Sequence, residues 1–249
     1  MDFPVRPEEL TPGWLNDALR AAGAIDTARV VSCQVSPLAE KQGFYGQVVR
    51  VTPVYDREEA GAPPALIAKF ASAVPEMRKR AVPAYVREVR FYQQVAGRTS
   101  LPVPACYFAG IDAETGLHLL LLEDMAPARS GARVQGCTPA QAELAIRAIA
   151  AFHAFWWENP LLREFDWLED GTNDPDANAQ QALHERWWPE FLQRAGHRVP
   201  EPIREIGECL GPQRAAIRRH VFGSSPQTLI HRDFQLDNLV FGGPNGGAT

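Results

Sequence analysis

Polar and apolar positions first fall into a helical rhythm between Thr11 and Gly23. Trp14, Leu15, Ala18 and Leu19 recur at helical spacing, Thr11 stands where a cap is needed, Pro12 takes the first helical position and Gly23 closes the helix. The rhythm then shortens. RVVSCQVSPL alternates, GQVVRVTPVY is β-branched, and the two flank the turn-like KQGFYG. After the break DREEAGAPP comes ALIAKF, a third short strand. AVPAYVREVRFYQQVAG reads as a helix after Pro83. ACYFAGI and LHLLLLEDM read as two further strands joined by the turn DAETG. Up to Met125 the pattern predicts a small sheet of about five strands, mostly hairpin-connected, with one inserted helix.

Beyond Met125 the pattern turns helical. APARSGARVQG is a loop, and Thr138-Pro139-Ala140-Gln141 has the form of a capping box. The helix it opens, to about Trp157, is apolar almost all round apart from Glu143 and Arg147, which predicts a position in the middle of a domain. Residues 158–222 read as further helices. In the closing stretch TLIHRDFQLDNLVFGGPNGGAT, short strands at Thr228–Ile230 and Leu239–Phe241 bracket a polar loop.

Composition narrows the class. The 249 residues carry a formal net charge of −5, with 45% hydrophobic and 22% charged residues, which excludes a disordered tail, a collagen and a disulfide-knot toxin. The apolar run Leu119–Leu122 is far too short for a bilayer, and MDFPVRPEEL has no basic-then-apolar leader pattern, so no membrane association and a cytoplasmic location are expected. Mild acidity argues against nucleic acid as a partner, and no obligate protein partner is evident. Cys33, Cys106, Cys137 and Cys209 form no CxxC pair and read as small buried or half-buried residues rather than ligands or bridges. Lysine is rare: only Lys41, Lys69 and Lys79 occur. A lysine inside an apolar strand therefore needs a reason.

The sharpest chemical signal is His231-Arg232-Asp233 with Asn238, spaced H-x-D-x-x-x-x-N. In phosphoryl transfer this spacing places an Asp that accepts the attacking hydroxyl's proton and an Asn that ligates Mg²⁺ at the two ends of one loop. A polar loop with a satisfied His is the plainer alternative. Lys69, preceded by Ala65-Leu66-Ile67-Ala68, either snorkels to solvent or holds a cation over phosphates. The following helix offers it a partner. Tyr85, Val89, Tyr92 and Ala96 form one apolar stripe, and Glu88 lies on its flank, where a carboxylate is costly without a cation. Gly43 and Gly46 lie in a turn that is either an ordinary hairpin or a backbone cradle for phosphates.

Taken in order, the glycine turn, strand lysine, helix glutamate, LLLLEDM, apolar helix and HRDFQLDN resemble the aminoglycoside phosphotransferase and choline kinase superfamily. REVRFYQQVA, LPVPACYFAG, LHLLLLEDM and AIAAFHAFWW resemble its ecdysteroid-kinase-like branch, and the likeness runs from about residue 30 to the end. The resemblance implies an α+β, bilobal protein-kinase-like fold. A small antiparallel-sheet lobe over residues 1–124 would bind nucleotide. A mostly helical lobe over residues 125–249 would carry the catalytic loop 229–241. It further implies ATP and Mg²⁺ as cofactors and a small-molecule hydroxyl as acceptor: an aminoglycoside, sugar, sterol-like alcohol or amino alcohol. Asp233 would be the catalytic base and Asn238 a metal ligand. Lys69 would hold the phosphates and Glu88 orient Lys69, with Gly43 and Gly46 over the phosphates. The linker Leu122–Met125, including Glu123 and Met125, would meet adenine through its main chain. His231 and Arg232 would support the loop, and His153 would be structural.

One departure stands out. The family carries a second metal-binding Asp, in a segment resembling I-D-W-Q, that has no counterpart between Asn238 and Thr249. The resemblance is thus to a truncated kinase, and little turnover is expected of this chain alone. A catalytically inactive nucleotide-binding module is the alternative reading. Trp156, Trp157, Trp187 and Trp188 are expected in a core rather than an acceptor pocket, and Glu169 and Asp170 in a solvated loop.

Overall fold

Thr11 accepts the Trp14 N–H at 3.2 Å and opens helix α1, Pro12–Ala21, which buries Leu15, Ala18 and Leu19. The computed structural model describes residues 3–38, 46–99, 101–131, 133–168, 176–224 and 226–242. The turn that holds Lys41 and Gly43, and the acidic residues Glu169 and Asp170, lie outside the described residues. Five strands follow: β1 Val30–Pro37, β2 Gly46–Tyr55, β3 Leu66–Ala71, β4 Cys106–Asp112 and β5 Leu117–Glu123. They form one antiparallel sheet in the order β1-β2-β3-β5-β4.

Alternation sorts each strand between two faces. Val49, Val51, Leu66, Ala68, Phe70, Leu119 and Leu121 point to one side and pack with Leu15 and Leu19. Leu120 and Leu122 point to the other, against Val89 of helix α2, Pro75–Arg90. β5 is therefore apolar on both faces because both are covered. The loop after β2 is tied back by Glu59, whose carboxylate accepts the backbone N–H groups of Asp26, Thr27 and Ala28.

Helix α2 begins eight residues before Pro83. Pro75 occupies its first turn and Pro83 lies inside it, with Ala84 beside it exposed. The charged run around Lys79 hides this start from any apolar-period test. A π-helical turn, Phe91–Val95, continues α2 and rotates its face, so Val95 rather than Ala96 is fully buried.

Short strands β6, Arg129–Ser130, and β7, Val240–Phe241, pair with each other. Between them in the sequence lie helices α3 Pro139–Trp156, α4 Asp176–Ala195, α5 Glu201–Leu210 and α6 Arg214–Ser224. The capping box is present: Thr138 Oγ1 accepts the Gln141 N–H, and Gln141 Oε1 accepts the Thr138 N–H. The middle-of-domain expectation for α3 is corrected. Ala145, Phe152 and Trp156 are buried, while Leu144, Ile146 and Phe155 are exposed. Among the described residues one stripe of α3 is covered, so its all-round apolar composition does not translate into all-round burial.

The α+β class is as expected, with the antiparallel sheet first and helices after, consistent with a protein-kinase-like fold. Two compact units result, Met1–Phe155 with Ile230–Thr249, and Trp156–Leu229. The loop holding Asp233 thus belongs to the same unit as the sheet. In the second unit Gly207 and Gly211 leave room for Trp188 and His184, and Trp188 stacks between His184 and Phe191. Trp156 is buried there as expected, whereas Trp157 and Trp187 are exposed. Cys137 and Cys209 are likewise exposed, not half-buried, and all four cysteines are free. No described helix is long and apolar enough to cross a membrane.

Candidate active site

Lys69 is carried on β3 opposite Leu120 of β5, which turns it to the face that packs α2. Its Nζ donates to Glu88 Oε1 at 2.7 Å. Burial alone would raise the Glu88 carboxyl. The Lys69 ammonium, through charge and hydrogen bond, and His118 together hold it below the usual carboxylate range. The pair is locked in place from α2's own side chains. Tyr85 Oη accepts the Ser72 N–H at 3.1 Å. Arg78 donates to the Ser72 carbonyl and to the Thr115 carbonyl of the β4–β5 turn. The sequence pattern does not reveal this latch, because Arg78 looks like an ordinary charge on a helix surface and Tyr85 like a core residue.

His118 is the buried polar residue of β5, 3% exposed, and its ring lies 4.1 Å from that of Tyr85. Its Nδ1 has no hydrogen-bond partner. Desolvation pulls its pKa down to about 4, Lys69 pushes the same way, and Glu88 and a hydrogen bond to Gly116 oppose. Because the folded value lies below the ordinary 6.5, the unfolded chain takes up the proton first as pH falls, and stability is lost between 6.5 and about 4. His118→Leu is therefore expected to flatten that loss. Thermal melts at about pH 7.5 and about pH 5 check it, with a smaller drop in Tm for the variant than for the parent.

The loop after Leu229 assembles a second constellation. Asn238 ends a 3-10 turn, Leu236–Asn238, and its Nδ2 donates to Asp233 Oδ2 at 2.8 Å and to the Asp233 carbonyl at 2.9 Å. His231 Nδ1 accepts the Asp233 N–H at 3.3 Å, and desolvation keeps the imidazole below its ordinary pKa. The loop is anchored to the segment that follows the β5 linker. Gly131 N–H donates to the Leu239 carbonyl, and a Cβ at Gly131 would press on the Leu236 carbonyl oxygen. Both the Arg133 backbone N–H and its guanidinium bond the Asp237 carboxylate.

Arg232 sits at φ +66, in the left-handed region that favours glycine. Arg232→Gly and Arg232→Val both remove the side chain, but the branched residue resists that backbone. The Val variant is expected to be the less stable of the two by ~1–3 kcal/mol, measured by denaturant unfolding.

Residues 46–249 thus hold a strand lysine paired to a helix carboxylate, and an H-x-D-x-x-x-x-N loop closed by its own Asp–Asn bond. The model of the phosphotransferase enzyme family (APH) matches residues 48–248. The chain belongs to this family. No curated protein matches it.

In this phosphotransferase four of the expected site residues fall into two pairs within one compact unit, Lys69–Glu88 and Asp233–Asn238. Among the described residues no hydrogen bond or ion pair joins one pair to the other. Gly46 opens β2 so close to the Phe70 carbonyl that a Cβ would collide with it, which requires glycine there irrespective of any phosphate. In the linker the Glu123 N–H and carboxylate are both engaged with Ala105, and the Met125 carbonyl accepts the Ala128 N–H. The Met125 N–H has no partner among the described residues.

Metal chemistry fits these residues in a limited way. Asn238 spends its amide N–H₂ on Asp233, which leaves its Oδ1 as a hard oxygen donor without a hydrogen bond. Among the described residues no three His, Cys, Asp or Glu form a metal cage. That donor set suits a Mg²⁺ ion shared with phosphates and water, not one enclosed by protein alone.

Proposed function

We propose that this chain is an ATP- and Mg²⁺-dependent phosphotransferase that moves the γ-phosphate to a hydroxyl of a small molecule. The observation that carries the reading is the Asp233–Asn238 pair at 2.8 Å. It holds a carboxylate and an amide together on one exposed loop, with the amide N–H₂ turned to the carboxylate. Asp233 orients the acceptor hydroxyl and takes its proton, and Asn238 Oδ1 helps hold Mg²⁺, which supplies charge neutralisation at the transferring phosphate. Lys69, fixed by Glu88, holds the α- and β-phosphates. Val48 and Ile67, half-buried on the same sheet face, flank the adenine, and the Met125 N–H donates to its edge. Catalysis is then positioning and electrostatics.

A second reading is a nucleotide-binding module without turnover, favoured because no three His, Cys, Asp or Glu among the described residues gather where they could hold a metal ion. One experiment separates the two: ADP release by the full gene product against a panel of small alcohols, amino alcohols and aminoglycosides, alongside ATP titration. Acceptor-dependent ADP release supports the kinase. ATP binding with no release for any acceptor supports the module, and absence of ATP binding contradicts both.

A further inference from the structure

Beyond the phosphate-handling residues, β2 carries a cation that neither pair uses. Register places Val48 opposite Lys69 and Arg50 opposite Ile67, so all four side chains share one face of the sheet. The apolar Val48 and Ile67 are thereby framed by a cation at each end. Lys69 faces Glu88 at one end. At the other, Arg50 reaches the linker after β5: its Nε lies 2.6 Å from Asp124 Oδ2 and its Nη2 3.4 Å from Oδ1. The Asp124 side chain is only 8% exposed. Its Oδ1 also accepts the Ala126 N–H at 3.1 Å, so this one carboxylate grips the main chain on the far side of Met125.

We propose that the Arg50–Asp124 ion pair is a positioning device that fixes the linker so that the Met125 N–H reads the purine base, selecting adenine over guanine. The inference rests on the nucleotide reading above and adds a specificity determinant to it. The chemistry is one of donors and acceptors. Adenine offers a ring-nitrogen acceptor, N1, where guanine offers an N1–H donor. A rigid N–H facing that atom bonds the first and leaves two donors opposed in the second. Rigidity is the condition: a linker free to shift by one residue could present a carbonyl instead. Arg50 removes that freedom, because its planar fork restrains the direction of Asp124 as well as its distance. Its position on β2 also ties the linker to the strand that Gly46 opens.

The test is the ratio of ATP to GTP affinity, read by titration of the full gene product and of Arg50→Ala and Asp124→Asn. The parent is expected to prefer ATP, and each variant to narrow that preference by about tenfold. The double variant is expected to add little, because both changes break one interaction. A loss of fold alone would weaken both nucleotides together and leave the ratio unmoved. Should Arg50→Ala not fold, with Asp124 left unpaired in its buried position, Arg50→Lys keeps the charge and loses the fork. It is expected to narrow the ratio as well. A ratio within about twofold of the parent in the folded variants overturns the proposal, as does a parent that binds ATP and GTP alike. A parent that binds neither nucleotide overturns the nucleotide reading itself, and the inference falls with it.

Discussion

Asp233→Asn is expected to lower acceptor-dependent phosphate transfer by at least ~10²-fold while leaving ATP affinity within about twofold. The substitution is nearly isosteric. It keeps an oxygen for the Asn238 amide, which now bonds Asp233 Oδ2, and it keeps the backbone carbonyl that accepts from the same amide. What it removes is the charge that draws the acceptor's proton. The loss therefore falls on kcat and not on nucleotide binding. Steady-state ADP release and ATP titration on the full gene product measure the two sides. Near-normal turnover would remove Asp233 from the role of base.

Lys69→Ala has the second largest expected effect, and it falls on binding. The substitution deletes the cation proposed for the phosphates and leaves Glu88 without its 2.7 Å partner on a face packed against Leu120 and Val89. ATP affinity is expected to fall by at least ~10-fold, with turnover lost. Glu88→Gln tests the pairing separately. Because the Glu88 carboxyl is held below its ordinary 4.5, the ion pair is intact at neutral pH and fails only as pH falls through that lowered value. The Gln variant should thus differ from the parent at neutral pH and converge with it in acid. Unchanged ATP affinity in Lys69→Ala would contradict the pairing's role.

Much of this was legible along the chain, for reasons that can be named. The five strands of the sheet were readable because their apolar positions alternate with period two between turn residues, and the α1 and α3 starts because Thr11 and Thr138 carry cap chemistry in the side chain itself; Thr228–Ile230, expected as a strand, has no regular structure. Lys69 and Glu88 were readable as a pair because each is anomalous where it stands, a cation in an apolar strand and an anion beside an apolar stripe. Other features carry no local anomaly. Arg50 occupies the polar phase of an alternating strand, and its partner Asp124 is 74 residues away, so nothing nearby marks it. Tyr85 reads as core, and its bond to the Ser72 N–H is set by where β3 ends. The π-helical turn at Phe91–Val95 shifts the buried position by one residue, a change that a regular 3.6 period cannot anticipate. His118, a polar residue in LHLLLL, was passed over, and its low pKa follows from burial beside Lys69, which only the folded sheet supplies. The exposure of Leu144 and Ile146 on α3 depends on what surrounds the helix, which composition does not encode.

The central claim is that the two pairs serve one triphosphate. A crystal structure of the full gene product with Mn²⁺ and a non-hydrolysable ATP analogue tests it most directly. The account predicts anomalous density for the metal at about 2.0–2.3 Å from Asn238 Oδ1, with Lys69 Nζ within about 3.2 Å of a phosphate oxygen of the same nucleotide. A nucleotide lodged elsewhere, or one that meets Lys69 while the metal and the loop of Asp233 stand apart from its phosphates, would contradict it.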